Sequence, residues 1–289
     1  EPKSWGEAGG PREDPVRGFR SFAAEETGPK VRLRPESFAD HYSQARQFVI
    51  SQTPIEQKHI GDAITFELSK VERADIRARV VSHLRHIDEN LAATVANGLG
   101  LPLPEPAKAA RPVIADLPPS NALSIVRNGP HSFAGRKFGI LLTDGADAGL
   151  FDALVTAAEK EKASYEIVAP KIGGVTLSDG RALPAQQKID GGPSVLFDAV
   201  AVIISADGAT RLAGDAAARD FVTDAFAHCK FIGYAAEAIA LFAKAGLADD
   251  LDDGCMVLKT DADVDGFVTA CHALRFWDRE AKVDLDAGA

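Results

Sequence analysis

Apolar residues recur at every third or fourth position over residues 54–95, and then gather into short unbroken runs over residues 138–258. The first texture belongs to amphipathic helices and the second to buried strands. Thr53-Pro54-Ile55-Glu56 has the form of a capping box, in which the Thr hydroxyl accepts from the amide three residues on and Glu56 reaches back. Pro54 suits the first helical turn because it has no amide to leave unpaired, so a helix is predicted to begin there. Ile60, Ile64 and Leu68 then fall on one face. Ile76, Val80, Leu84, Ile87, Leu91 and Val95 continue the three-and-four spacing, predicting one further helix that Gly98 and Gly100 end.

The change of texture falls in a proline-dense stretch. Pro102, Pro104, Pro106, Pro112, Pro118, Pro119 and Pro130 exclude long helices and favour a stiff, extended linker, in which Val113-Ile114 and Leu123 to Val126 offer apolar pieces that could dock. Beyond it, Phe138 to Leu142, Tyr165 to Val168, Ala199 to Ile204, Phe231 to Gly233 and Cys255 to Leu258 read as strands. Helices are predicted from Leu150, around Phe221 to His228, over Ala236 to Ala245 and over Val264 to Trp277, and a hairpin around Ser178-Asp179-Gly180. Strand–helix alternation of this kind implies a mainly parallel sheet with helices on both faces, an α/β, flavodoxin-like doubly wound domain. Residues 1–35, rich in Pro, Gly and charge, show neither period. They are read as an extended arm anchored by Trp5, Phe19 and Phe22, with a disordered tail as the alternative. The predicted organisation is thus an arm (1–35), a helical segment (36–100), a linker (101–135) and the doubly wound domain (136–289).

Composition narrows the function. With 42 acidic and 32 basic residues the net charge is −10, which disfavours nonspecific binding to nucleic acid or an anionic membrane. Lys30, Arg32 and Arg34 form a short basic strip, better suited to carboxylates of a neighbouring subunit than to a phosphate backbone. No apolar run approaches the roughly 20 residues needed to span a bilayer. The opening EPKSWGEAGGPREDP has no signal-peptide pattern and fits an internal position in a longer chain or a cleaved terminus. Cys229, Cys255 and Cys271 have no C-x-x-C spacing, and Cys229 and Cys271 fall on core-facing positions, which points to inert thiols in a reducing cytoplasm.

Candidate chemistry is sparse. His83 and His86 could share a metal, but no third ligand follows in sequence. The loop Thr143 to Gly149 lacks a P-loop lysine, and its Asp144 and Asp147 oppose a phosphate; Asp147 is read as a helix cap. The acidic loop Gly246 to Gly254 lacks calcium-loop spacing and is read as solvated. No Tyr lies four residues after an Arg, so no R-x-x-x-Y motif occurs.

Two stretches carry family resemblances. Residues 41–71, HYSQARQFVISQTPIEQKHIGDAITFELSKV, resemble the helical segment that follows the haem-binding core in large-subunit haem catalases. Residues 232–241, IGYAAEAIAL, resemble the strand-to-helix elbow of the class I glutamine amidotransferase-like superfamily. That resemblance puts Ala235 where the nucleophilic Cys would be and Leu150 where a supporting acid would be, so it implies that this chemistry is lost. Glu237 is left as a first-turn helix charge. Arm, helical segment, linker and nucleophile-less domain together resemble the C-terminal portion of a large-subunit catalase over nearly the whole chain.

The resemblance implies a homotetramer built with a haem-binding core, and hydrogen peroxide as substrate of the intact oxidoreductase, within peroxide catabolism and the oxidative stress response. The haem ligands would lie outside this chain. No catalytic, cofactor-binding or metal-binding residue is assigned within it, and alone it is expected to be inactive and structural, steadying the tetramer and shaping peroxide access. The alternatives are a chaperone-like binding module, which captures unfolded chains on its exposed helix stripe, and a self-standing enzyme in the doubly wound domain.

Overall fold

The computed structural model describes residues 27–283, together with Val16 and Glu25. The arm anchors Trp5, Phe19 and Phe22 lie outside the described residues. Eleven helices are described: α1 (Ser43–Ser51), α2 (Pro54–Ser69), α3 (Ala74–Leu84), α4 (Glu89–Gly98), α5 (Ile125–Asn128), α6 (Ala148–Lys160), α7 (Ala206–Ala213), α8 (Ala216–Ala227), α9 (Ile239–Lys244), α10 (Asp261–Ala270) and α11 (Glu280–Val283). Eight strands accompany them: β1 (Lys137–Leu142), β2 (Ser164–Ala169), β3 (Val175–Thr176), β4 (Ala182–Leu183), β5 (Gln187–Lys188), β6 (Ala199–Ile203), β7 (Ile232–Ala235) and β8 (Cys255–Leu258). Among the described residues no helix is long and apolar enough to cross a membrane.

In the helical segment the capping box forms as read. The Thr53 hydroxyl accepts from the Glu56 amide, and the Thr53 amide donates to Glu56 Oε2 at 2.7 Å. Ile60, Ile64 and Leu68 pack with Val81, Leu84, Leu91 and Val95 in one small core. The single helix expected over 76–95 is instead two. Asp88 leaves helical geometry (φ −158, ψ 129), and its side chain accepts from the Leu91 amide at 2.9 Å, so it starts α4 as an N-cap. The apolar period runs unbroken across the bend because both helices face the same core. Helix α4 ends in a Schellman motif: Gly100, at φ +64, donates to the Asn97 carbonyl, and Leu101 to that of Ala96. Helix α1 was not anticipated; it precedes the capping box within the stretch that carries the family resemblance.

The two pieces expected to dock, Val113-Ile114 and Leu123 to Val126, do so through polar groups. Glu56 takes bonds from the Ser124 hydroxyl (2.7 Å) and the Val126 amide (3.0 Å), and the Ile114 amide donates to Ser43 Oγ. Ile114 and Ile125 stay exposed.

In the doubly wound domain one six-stranded sheet has the order β5-β2-β1-β6-β7-β8, every pairing parallel. Alternation along the strands divides the core. Phe138, Ile140 and Leu142 of β1 and Ala199, Ala201 and Ile203 of β6 face α6 and α10, whereas Leu141, Val200 and Val202 face α7, α8 and α9. The β3–β4 hairpin stands apart as a two-stranded antiparallel sheet. Strand β5 and helix α7 were not read from the sequence: β5 has two residues, and α7 is mostly small and polar. The helix predicted over Val264 to Trp277 stops at Ala270, where a 3-10 turn and Leu274 at φ +66 divert the chain.

Candidate functional site

In a doubly wound sheet, ligands bind beyond the carboxyl ends of the strands. Here a cleft of about 410 Å³ opens there, lined in part by Asp147, Leu150, Ser178, Ser205, Ala235, Glu237 and Lys259. The two positions that resemblance assigned to a nucleophile and its acid, Ala235 and Leu150, meet in this one cleft. Their side chains are a methyl and an isobutyl group, both buried.

The backbone matches that chemical silence. A nucleophile elbow holds its residue on a sharp, strained turn, but Ala235 has φ −68 and ψ 147, ordinary extended backbone, before a 3-10 turn at Ala236–Ala238. Glu237 is the middle residue of that turn and is exposed. Asp147 is the expected cap, its Oδ1 accepting from the Leu150 amide at 2.9 Å. Asp144 ties the loop to β3 by accepting from the Thr176 amide at 2.8 Å.

The histidines are brought to separate tasks. His83, near the end of α3, sits with Nδ1 2.8 Å from the Tyr42 hydroxyl, while His86, in the bend before α4, bonds the Ala107 carbonyl and stacks on Tyr42 with centroids 4.6 Å apart. Among the described residues no group of three or more His, Cys, Asp or Glu gathers as a metal would require. Tyr42 is buried and engaged by His83, Tyr234 packs on Phe242, and Tyr165 meets Phe151 edge-on.

The acidic loop is only partly solvated, a correction to its sequence reading. Asp252 holds the fully buried Arg279 through two bonds of 2.7 and 2.8 Å. The same guanidinium donates to the Lys230 carbonyl at 2.7 Å and lies 4.3 Å over the Phe226 ring. Burial pushes the Asp252 carboxyl up, but bonds from Arg279 and its charge outweigh this and hold it below the usual range. Lys230 is buried too, its ammonium donating to the Ser194 and Phe197 carbonyls, and desolvation followed by the Arg275 charge brings it down to about 8. No spacing in the sequence signals these pairings, because their partners lie 27 and more residues apart.

Cys229, Cys255 and Cys271 are free and buried, the first and last as their periodicity predicted. Burial raises all three thiols, Cys255 to about 11. They are therefore poor nucleophiles.

Comparison with known proteins agrees with this geometry. Residues 35–99 match the family described as "Catalase-related immune-responsive", and residues 134–281 match the "C-terminal domain found in long catalases". Among curated relatives, the chain is 58% identical over 286 residues to "Catalase C" of Rhizobium meliloti (strain 1021), covering 99% of this chain and 40% of that protein. It is 37% identical to "Catalase HPII" of Pseudomonas putida, covering 96% and 39%, and 32% identical to "Catalase-2" of Bacillus subtilis (strain 168), covering 91% and 37%. The chain thus spans about two fifths of the length of these relatives. Two matches in this order, over a helical segment and a doubly wound domain whose elbow carries no nucleophile, show that the chain belongs to the family of C-terminal regions of long catalases.

Proposed function

We propose that the chain is the non-catalytic C-terminal part of a haem catalase, and that the intact enzyme disproportionates hydrogen peroxide to water and oxygen. The observation that carries this reading is the pairing of the family match with the cleft in which Ala235 and Leu150 replace the reactive pair. Haem, when bound in the intact protein, supplies the redox chemistry. No residue of this chain is proposed as its ligand, as a metal ligand or as a catalytic group. The chain's own work is architectural: arm 1–35 and segment 36–100 engage the haem-binding core and neighbouring subunits of a homotetramer, linker 101–135 carries the backbone across, and residues 136–289 form an outer domain. The exposed Lys30, Arg32 and Arg34 are available for carboxylates of a neighbour. Three free thiols suit a reducing cytoplasm.

The purified 289-residue chain is expected to release no oxygen from peroxide and to show no Soret band. Oxygen release accompanied by that band would overturn the reading. A chaperone-like role for the separated segment draws support from the exposed Phe38, Phe48 and Phe66. It requires that near-stoichiometric chain suppress thermal aggregation of a client protein, and no suppression would remove it.

A further inference from the structure

The cleft that carries no nucleophile has the build of a binding site. Its volume of about 410 Å³ falls within the roughly 300–1,000 Å³ of small-molecule sites. It opens beyond the carboxyl ends of β1, β6, β7 and β8, where an open parallel sheet receives ligands. Leu150, Ile204, Ala235 and Leu258 give it a buried apolar wall, each no more than 8% exposed.

Its polar groups divide into two sets. Asp147 caps α6, Ser205 Oγ accepts from the Gly208 amide at 3.1 Å and donates to the Asp144 carbonyl at 2.7 Å, and Ser178 Oγ accepts from the Ala148 amide at 3.0 Å. These groups serve the fold. Glu237 and Lys259 do not: among the described residues neither side chain has a hydrogen-bond or ion-pair partner, and the two do not pair with each other. Asp263 feels the Lys259 charge, but its Oδ2 is taken by Thr260 and by the Lys259 amide. Adjacent strands bring the pair to the cleft. Ala235 and Leu258 are partners in the β7–β8 ladder, with Glu237 two residues beyond the first and Lys259 next after the second.

We propose that the cleft binds, without transforming it, a small zwitterion carrying alkyl side chains: a free aliphatic amino acid or a dipeptide of such residues. Lys259 receives the carboxylate, Glu237 the ammonium, and the apolar wall the side chain. The charges set the class. A phosphate would bring its negative charge to Glu237 and Asp147, and a simple amine would set a second cation beside Lys259, whereas a zwitterion gives each free group a charge-assisted partner. The wall sets the side chain. A methyl group at 235 and an isobutyl group at 150 offer no partner to a polar substituent, so an alkyl group gains most by leaving water there.

Isothermal titration of the 289-residue chain tests this with L-leucine and L-leucyl-L-leucine as probes. Saturable binding of at least one, at one site per chain, is expected. Glycine has the charges without the alkyl group, 4-methylpentanoate lacks the ammonium and 3-methylbutylamine lacks the carboxylate; these and inorganic phosphate are expected to bind about tenfold or more weakly, the scale of a lost charge-assisted bond or buried alkyl group. Lys259→Gln and Glu237→Gln alter exposed side chains that bond nothing in the fold, so each is expected to weaken binding by about the same factor with an unchanged far-UV circular dichroism spectrum. Lys244→Gln, an exposed charge outside the cleft, is expected to bind as the parent does. Leucine alone or the dipeptide alone upholds the proposal and identifies the size of the occupant. No saturable binding of either zwitterion, phosphate binding as tight as theirs, or parental affinity in both cleft variants would overturn it.

Discussion

A single methyl group decides what the cleft can do. Ala235 stands where attack would begin, yet its relaxed backbone and the isobutyl neighbour Leu150 mean that restoring the sulfur alone restores little. Ala235→Cys is expected to fold and to show no esterase or glyoxalase turnover, because Leu150 stands where the supporting acid would be. Turnover above the parent's would show a latent pocket and contradict this. The native thiols make the same point. Raised by burial, Cys229, Cys255 and Cys271 are expected to react with a small disulfide reagent only as fast as the domain opens, so a rapid burst of labelling in the folded protein would refute the burial argument.

Among the elements, β1 depends on having no side chain at one position. A Cβ on Gly139 would meet the Phe197 ring at 2.3 Å, well inside contact distance, in the middle of a strand bonded on both sides. Gly139→Ala is expected to cost about 1–3 kcal/mol in urea unfolding. The bend between α3 and α4 rests on Asp88, and Asp88→Ala should cost about 1 kcal/mol. Glu56 joins two elements at once, capping α2 and fastening the linker. Partial burial pushes its carboxyl up, but bonds from the Thr53 and Val126 amides and the Ser124 and Thr53 hydroxyls prevail and hold it at about 2. Because the folded group binds its proton less readily than the unfolded one, its contribution is present above the ordinary carboxylate range and is lost as pH falls toward 2. Glu56→Gln should flatten that part of the stability profile, and an unchanged acid limb would count against the assignment.

These elements also show what sequence could and could not reveal. The capping box and the strands β1, β2, β6, β7 and β8 were legible because their signals are local: a four-residue pattern, or an apolar run. Asp88 was missed because an apolar stripe records which core a residue faces and is blind to a change of axis between helices sharing that core. Strand β5, two residues long, exists only because β2 offers an edge to it.

Across the whole molecule, the parallel sheet and its two helix-covered faces followed from strand–helix alternation, while the order of the strands did not; the family followed from motif and the silent cleft from both. The long-range polar pairs were invisible: Arg279 with Asp252, and His59 with Glu280, join residues that no local period connects. Such pairs decide how the parts hold together, and they become apparent only when the chain is closed.

The buried guanidinium has a consequence for how this domain would be dismantled. Trimming from the carboxyl end should be tolerated down to Lys282 and then halt or fail abruptly, since removal of Arg279 strands the Asp252 carboxylate and the Lys230 carbonyl together and uncovers the Phe226 ring. Carboxypeptidase digestion followed by mass spectrometry should therefore show a ladder that ends before residue 279, and no folded species shorter than that; the last arginine acts as a keystone, set at the margin of the arch rather than its crown.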